Sequence, residues 1–286
     1  EALGFLHIVP DARKAIEIGL DIGLRLTLRD RELAGEAERA DAVDDAEIDC
    51  LSLTADGGVH ALRQVAHVQL ETDLDDVTLR HAWNAHLVEG VVIRRIETCD
   101  PDFHARFDAR GKRYLYRVQT ARFRPPIGDG YAHWLRAPLD LGAMREAAAQ
   151  LVGRHDFAAF GNTGRYATYR GRSGEPPPIA HSTVRTISGV RILARREGLG
   201  IFVGGDGFLY NMVRTIAGTL LEVGRGQMEV SSIGRALSSG KREDAGPTAP
   251  PGGLYLLRVL YSEPIFEGPD PSPVGGPDLT PGAFPG

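Results

Sequence analysis

Between Leu53 and His67 the sequence reads LTADGGVHALRQVAH, which sets one carboxylate, Asp56, among small residues and ahead of Gly57 and Gly58. By residue type alone this is a turn, since aspartate bonds its own backbone and glycine accepts positive φ. Anything more must come from the rest of the chain. A carboxylate kept ionised in a partly dry pocket needs a cation beside it. Read by itself, Arg214, in FLYNMVR, is an arginine near a helix middle that covers the core with its stem. His60 and His67 stand seven residues apart. That spacing suits neither a helical ligand pair nor a cluster with a third donor close by, so no metal is expected. The sequence contains no G-x-S-x-G elbow, Walker loop or Rossmann fingerprint. GRGQ and PTAPPGG read as turns.

Aromatic and basic residues supply the other chemistry. RYLYRVQT alternates, so its pleat puts Tyr114, Tyr116 and Val118 on one face and Arg113, Arg117 and Gln119 on the other. Basic stripes run from Arg106 to Arg124 and from Arg165 to Arg172; each taken alone is ordinary surface charge. The net charge of −5 hides an asymmetry. Residues 1–50 carry 13 acidic and 6 basic residues, whereas residues 51–286 carry 25 and 27. A polyanion would therefore meet the later part of the chain.

The elements that must hold these groups follow from periodicity. QVAHVQLE (64–71), VVIRRIETC (91–99), RYLYRVQT (113–120), residues 184–195 and 200–204, and LYLLRVLYS (254–262) read as strands. DDVTLRHAWNAHL (75–87), Asp140 to Val152, and FLYNMVRTIAGTLLEVG (208–224) read as helices with cap signals at their ends. Phe208, Met212, Ile216 and Leu220 repeat every four residues and form a core stripe. Strands and helices mingle without strict βαβ alternation, which predicts an α+β fold. Residues 1–50 mix the apolar-periodic RKAIEIGLDIGL with an acidic, Ala-rich stretch suited to a helix or to disorder. Seven Pro and five Gly in residues 264–286 predict a disordered tail.

At 286 residues, 42% hydrophobic and 25% charged, the composition is that of a globular protein with a sizeable core. Cys50 and Cys99 are too few for a disulfide framework or a zinc site. No apolar run has the length of a membrane span, and no basic-then-apolar leader opens the sequence, so no membrane partner and a cytoplasmic location are expected.

Five stretches in order, TADGGVHALRQVAH, PDFHARFDARGKRYLYRV, GRHDFAAF, GFLYNMVRTIAGTLLEVGRG and KREDAGPTAPPGGLYLLRVLY, resemble the tRNA pseudouridine synthase A family across residues 54–263. The resemblance implies a mixed, mainly antiparallel sheet flanked by helices, in two similar halves (51–135 and 136–263) with a central cleft. It implies isomerisation of uridine to pseudouridine at positions 38 to 40 of the tRNA anticodon stem-loop, with no cofactor, by a homodimer. On the family's motifs the nucleophile maps to Asp56, its ion-pair partner to Arg214 and the base-stacking tyrosine to Tyr114. The glycines after Asp56 would then let backbone and substrate approach closely. The Tyr114 hydroxyl could help move the C5 proton, while Tyr116 reads as a core aromatic. His104, Arg106 and Arg110, with Arg165 and Arg170 in a loop that also carries Tyr166, Tyr169 and Arg172, are the expected RNA contacts.

Two departures qualify the resemblance. The family carries an arginine where this chain has Thr54, a residue that would help extrude the target nucleotide. Its opening strand, with a YDG-type turn, has no counterpart in the 1–50 sequence; if nothing replaces that strand, a sheet edge is left uncovered behind the cleft. The alternative these raise is an RNA-binding homologue without catalysis.

Overall fold

The computed structural model describes residues 12–20, 58–70, 72–87, 90–126, 128, 130–162, 182–263 and 265. In chain order the elements are β1 (Ala12–Leu20), β2 (His60–Leu70), α1 (Asp76–Asn84), β3 (Val91–Thr98), β4 (Gly111–Gln119) and β5 (His133–Trp134). They continue with α2 (Leu141–Ala149), β6 (Gly153–Asp156), β7 (Val184–Arg195), β8 (Gly198–Gly205), α3 (Met212–Gly224), α4 (Ser232–Ser239) and β9 (Leu254–Leu260). The expected tail lies, apart from residue 265, outside the described residues, as does the loop carrying Arg165 and Arg170.

One sheet runs in the order β3-β1-β2-β9-β4-β8-β7-β6, with β5 paired to the end of β4. The pairs β2–β9 and β4–β5 are parallel and the others antiparallel, so the sheet is mixed and mainly antiparallel, as expected of the α+β class. The last strand, β9, is inserted between β2 and β4 and stitches early and late parts of the chain together.

The position anticipated as open behind the cleft is filled. β1 lies between β2 and β3 and pairs antiparallel with both, so residues 12–20 stand where the family's opening strand was missed. Ala15, Ile16 and Ile18 are all buried. Lys14 reaches over to Asp76 at 2.7 Å and to the Thr98 hydroxyl at 2.7 Å, while Glu17, on the alternate face, lies 3.9 Å from Arg94. A strand buried on both faces loses its polar alternation, which is why the segment read ambiguously.

Helix ends also differ from the periodic reading. α1 starts where Asp75 accepts the amides of Val77 and Thr78, and α2 where Asp140 accepts that of Ala143. α2 stops at Ala149 rather than Val152, because its last turn tightens into i→i+3 bonds from Gln150, Leu151 and Val152. α3 begins at Met212 rather than Phe208. Asn211 adopts φ 63°, ψ 0°, and this left-handed residue prevents the preceding three, Phe208 to Tyr210, from joining the helix.

Two apolar cores lie along the sheet. One gathers α2, α3 and α4 on β4, β7 and β8, with Met212, Ile216 and Leu220 of α3 all at 0% exposure. The expected four-residue stripe is therefore core, each side chain contributing about 1.5–3 kcal/mol. The other gathers α1 with β1, β2 and β3. Tyr114 packs against both and so marks the seam between them.

Close packing of α3 on the loop at 245–250 needs glycine. A Cβ on Gly218 would collide with the Pro247 carbonyl. Gly218→Ala is therefore expected to cost about 1–3 kcal/mol by overpacking, read as a lowered denaturation midpoint with the helix content retained.

Candidate active site

Arg214 occupies the first turn of α3, and its guanidinium is fixed from two sides. Nε donates to the Ala249 carbonyl at 2.8 Å and Nη1 to Asn211 Oδ1 at 2.9 Å. The Ala249 amide returns a bond to the Arg214 carbonyl at 3.1 Å. Loop 245–250 is in turn tied to α3 by buried threonines: Thr219 Oγ1 accepts the Gly246 amide at 2.8 Å, and the Thr215 and Thr248 hydroxyls lie 3.1 Å apart. Proline-rich sequence leaves this loop few backbone donors, and the Gly246 and Ala249 amides are both spent on α3. Asn211 is the one non-glycine residue at positive φ among the described residues. Holding it there costs local strain, the kind of cost found where geometry at a site is over-determined.

Tyr114 and Tyr116 share one face of β4, as the alternation predicted. Tyr116 is fully buried and donates to the Pro250 carbonyl at 2.8 Å, one residue beyond the partner of Arg214. Burial pushes the Tyr116 phenol up, and the Arg214 guanidinium pulls against it. Tyr114 is half-buried and meets Phe208 edge to face, with centroids 5.1 Å apart at 81°. Its hydroxyl forms no hydrogen bond among the described residues. Burial raises its pKa to about 12, so it stays a neutral phenol at working pH: a flat surface with a proton to donate rather than a standing base.

That shift predicts alkaline behaviour. Below pH 10 the phenol is protonated in both folded and unfolded chains. Between pH 10 and about 12 the unfolded chain loses the proton that the fold retains, so stability falls, by on the order of 2 kcal/mol for Tyr114 alone. Tyr261, raised by burial and then by Asp108, acts in the same direction. A phenolate absorbance titration is expected to show some of the eight tyrosines ionising only with unfolding; all eight titrating together near 10 would contradict this.

Asp56 lies outside the described residues, but the chain that leads from it does not. Gly58, at φ 90°, packs against Pro251, where a Cβ would come within 3.2 Å of the proline ring. Gly58, two residues after Asp56, and Pro251, which follows the loop holding Arg214, therefore meet.

Among the RNA-contact expectations, His104 sits inside its own loop. It is 3% exposed, lies against His67 and Phe107, and its Nδ1 accepts the amides of Arg106 and Phe107 at 3.2 Å each. It shapes the loop that presents Arg106. Arg110 bonds Ser262 Oγ at 3.0 Å near the end of the sheet. Lys112, two residues before Tyr114, is held below the usual lysine range by burial and then by the repulsion of Arg106. It forms no ion pair among the described residues. Among the described residues no cluster of His, Cys, Asp or Glu could hold a metal ion, and no helix is long and apolar enough to cross a membrane.

Sequence reasoning missed the supports of Arg214. Asn211 stood inside a helical pattern and Ala249 acts through its backbone, so only their presence in the FLYNMVR and AGPTAP stretches hinted at a role. Phe208, read only as part of the core stripe, also buttresses Tyr114.

Residues 147–262 match the model of the family described as tRNA pseudouridine synthase. The chain is 38% identical over 219 residues to tRNA pseudouridine synthase A of Shouchella clausii (strain KSM-K16), covering 77% of this chain and 79% of that protein. It is 36% identical over 212 residues to the protein of the same name from Staphylococcus aureus (strain Newman), covering 74% of each. With that of Thermoanaerobacter sp. (strain X514) it shares 37% over 206 residues, 72% of this chain and 79% of the relative. The chain belongs to the tRNA pseudouridine synthase A family.

Proposed function

We propose that this protein isomerises uridine to pseudouridine in the anticodon stem-loop of tRNA, at positions 38 to 40, with Asp56 as nucleophile. The observation that carries the reading is the guanidinium of Arg214, fixed by Ala249 and Asn211 beside the tyrosine face of β4, with Gly58 packed on the same loop. Asp56 is two residues from Gly58, so covalent geometry keeps their Cα atoms within about 7 Å of each other. A carboxylate delivered there meets a cation that cannot lose its charge.

The chemistry uses only these groups. Asp56 attacks the uracil ring or the ribose C1′, and the C1′–N1 bond breaks. Uracil turns while held on Tyr114, C5 bonds to C1′, and the bond between the Asp56 oxygen and the substrate breaks to return the free carboxylate; the C5 proton leaves while N1 gains one. Tyr114, neutral at working pH, stacks on the extruded base as other base-flipping sites do with aromatic rings. Arg106, Lys112 and Arg110 line the approach as phosphate contacts, with Arg165 and Arg170 in the same role; His104 contributes by shaping the Arg106 loop. The substrate is large enough for a homodimer to grip one tRNA with both subunits, in the cytoplasm.

The test is incubation with an unmodified tRNA transcript and mapping of pseudouridine by nucleotide. Appearance at positions 38 to 40 is expected. Salt-sensitive tRNA binding with no pseudouridine at any position would replace this reading with that of a non-catalytic RNA-binding homologue.

A further inference from the structure

His60 stands four residues after Asp56 and has no part in the chemistry above. It is 2% exposed and opens β2, paired in register with Tyr255 of β9. Its ring lies between those of Tyr131 and Tyr255, with centroids 5.0 and 4.5 Å away and planes within 15° and 20° of parallel. Tyr255 belongs to the small cluster with Leu115 and Phe202, and Leu115 alternates with Tyr114. His60 therefore works from the reverse face of the sheet.

Its Nε2 is 3.2 Å from the carbonyl oxygens of both Gly130 and Gly252. Two acceptors leave that nitrogen one role: it carries a hydrogen and shares it between them. The carbonyls converge because Gly252 lacks a side chain, and a Cβ there would strike the Gly130 carbonyl. Three residues before Gly252 is Ala249, which holds Arg214, and one residue before it is Pro251, which packs on Gly58. The imidazole thus joins the start of β2, four residues after Asp56, to the segment that follows the loop setting the guanidinium.

We infer that His60 is a positioning residue for the isomerase reaction: from behind the sheet its Nε2–H fixes the start of β2, the strand that follows Asp56, against the segment that carries the support of Arg214. The inference rests on the proposed roles of Asp56 and Arg214. A histidine present only for packing would be replaceable by another flat ring, whereas a positioning donor would not.

The experiment compares the full-length wild type with His60→Phe, His60→Gln and His60→Ala on one tRNA transcript, recording kcat, KM and thermal melting. His60→Phe keeps the stack and loses the donor; it is expected to lose about 10- to 100-fold in kcat with KM changed less than about threefold, as small misplacements of reacting groups do. His60→Gln places an amide N–H near the lost one and is expected to exceed His60→Ala in kcat by about tenfold. Wild-type kcat in His60→Phe overturns the inference. So does a His60→Gln no faster than His60→Ala, a comparison that stands even where the phenylalanine variant fails to fold. Asp56→Asn run in parallel separates the two levels: full activity there removes the nucleophile reading itself, while an inactive Asp56→Asn beside a fully active His60→Phe overturns only the role of His60.

Discussion

Asp56→Asn is expected to lose pseudouridine formation by about 10⁴-fold or more, because the amide keeps the size of the side chain and removes both its charge and its nucleophilic oxygen. The measurement is tritium release from tRNA carrying 5-tritiated uridine, since the C5 proton leaves only when the new carbon–carbon bond forms. Binding of tRNA is expected to stay within about threefold of wild type, because the phosphate contacts proposed for Arg106, Lys112 and Arg110 are untouched. Melting is expected to change little: Gly58 is held by Pro251, and Val59 by the core around α3, whatever stands at 56. Undiminished tritium release would remove Asp56 from the mechanism.

Arg214→Met is expected to lower kcat by about 10²- to 10³-fold, the effect of stripping a desolvated carboxylate of its partner. Arg214→Lys is not expected to restore it. The guanidinium uses Nε for Ala249 at 2.8 Å and Nη1 for Asn211 at 2.9 Å, two acceptors in fixed directions. An ammonium on a flexible stem cannot reproduce that fork and face a carboxylate as well. Both variants should also loosen loop 245–250, read as a lower melting temperature than Asp56→Asn shows. A lysine variant with wild-type turnover would mean that charge alone suffices and that the anchoring by Ala249 and Asn211 is incidental.

Where the physics is local, the sequence was readable. β4 declared itself by strict alternation, and the same alternation put Tyr114 and Tyr116 on one face, where they are found. Asp75 and Asp140 announced α1 and α2 because a cap needs only a side chain and the amides two or three residues on. The helix carrying Arg214 was legible from its four-residue apolar stripe, with its start misjudged by one residue type: an asparagine in the left-handed region ends a pattern that hydrophobicity alone continues.

Long-range features were not readable. β1 is a strand because β2 and β3 flank it, and its burial on both faces erased the alternation that would have revealed it. Nothing in AGPTAP says that the Ala249 carbonyl holds a guanidinium, since backbone acceptors carry no residue signature. His104 looked like one of several polar residues in an RNA-facing run, but its ring turns inward to bind its own loop. His60 was weighed only as a metal ligand, whereas its position is set by carbonyls at 130 and 252, far along the chain.

The account depends on a carboxylate and a guanidinium meeting at the seam of two cores, over a tyrosine that receives the displaced base. A crystal structure of the protein bound to an anticodon stem-loop tests this most directly. The expected result is an Asp56 oxygen about 2.8 Å from the Arg214 guanidinium, with the target uracil lying flat on Tyr114. A carboxylate turned away beyond about 7 Å, too far for direct pairing, or a uridine still stacked in its loop, would contradict it.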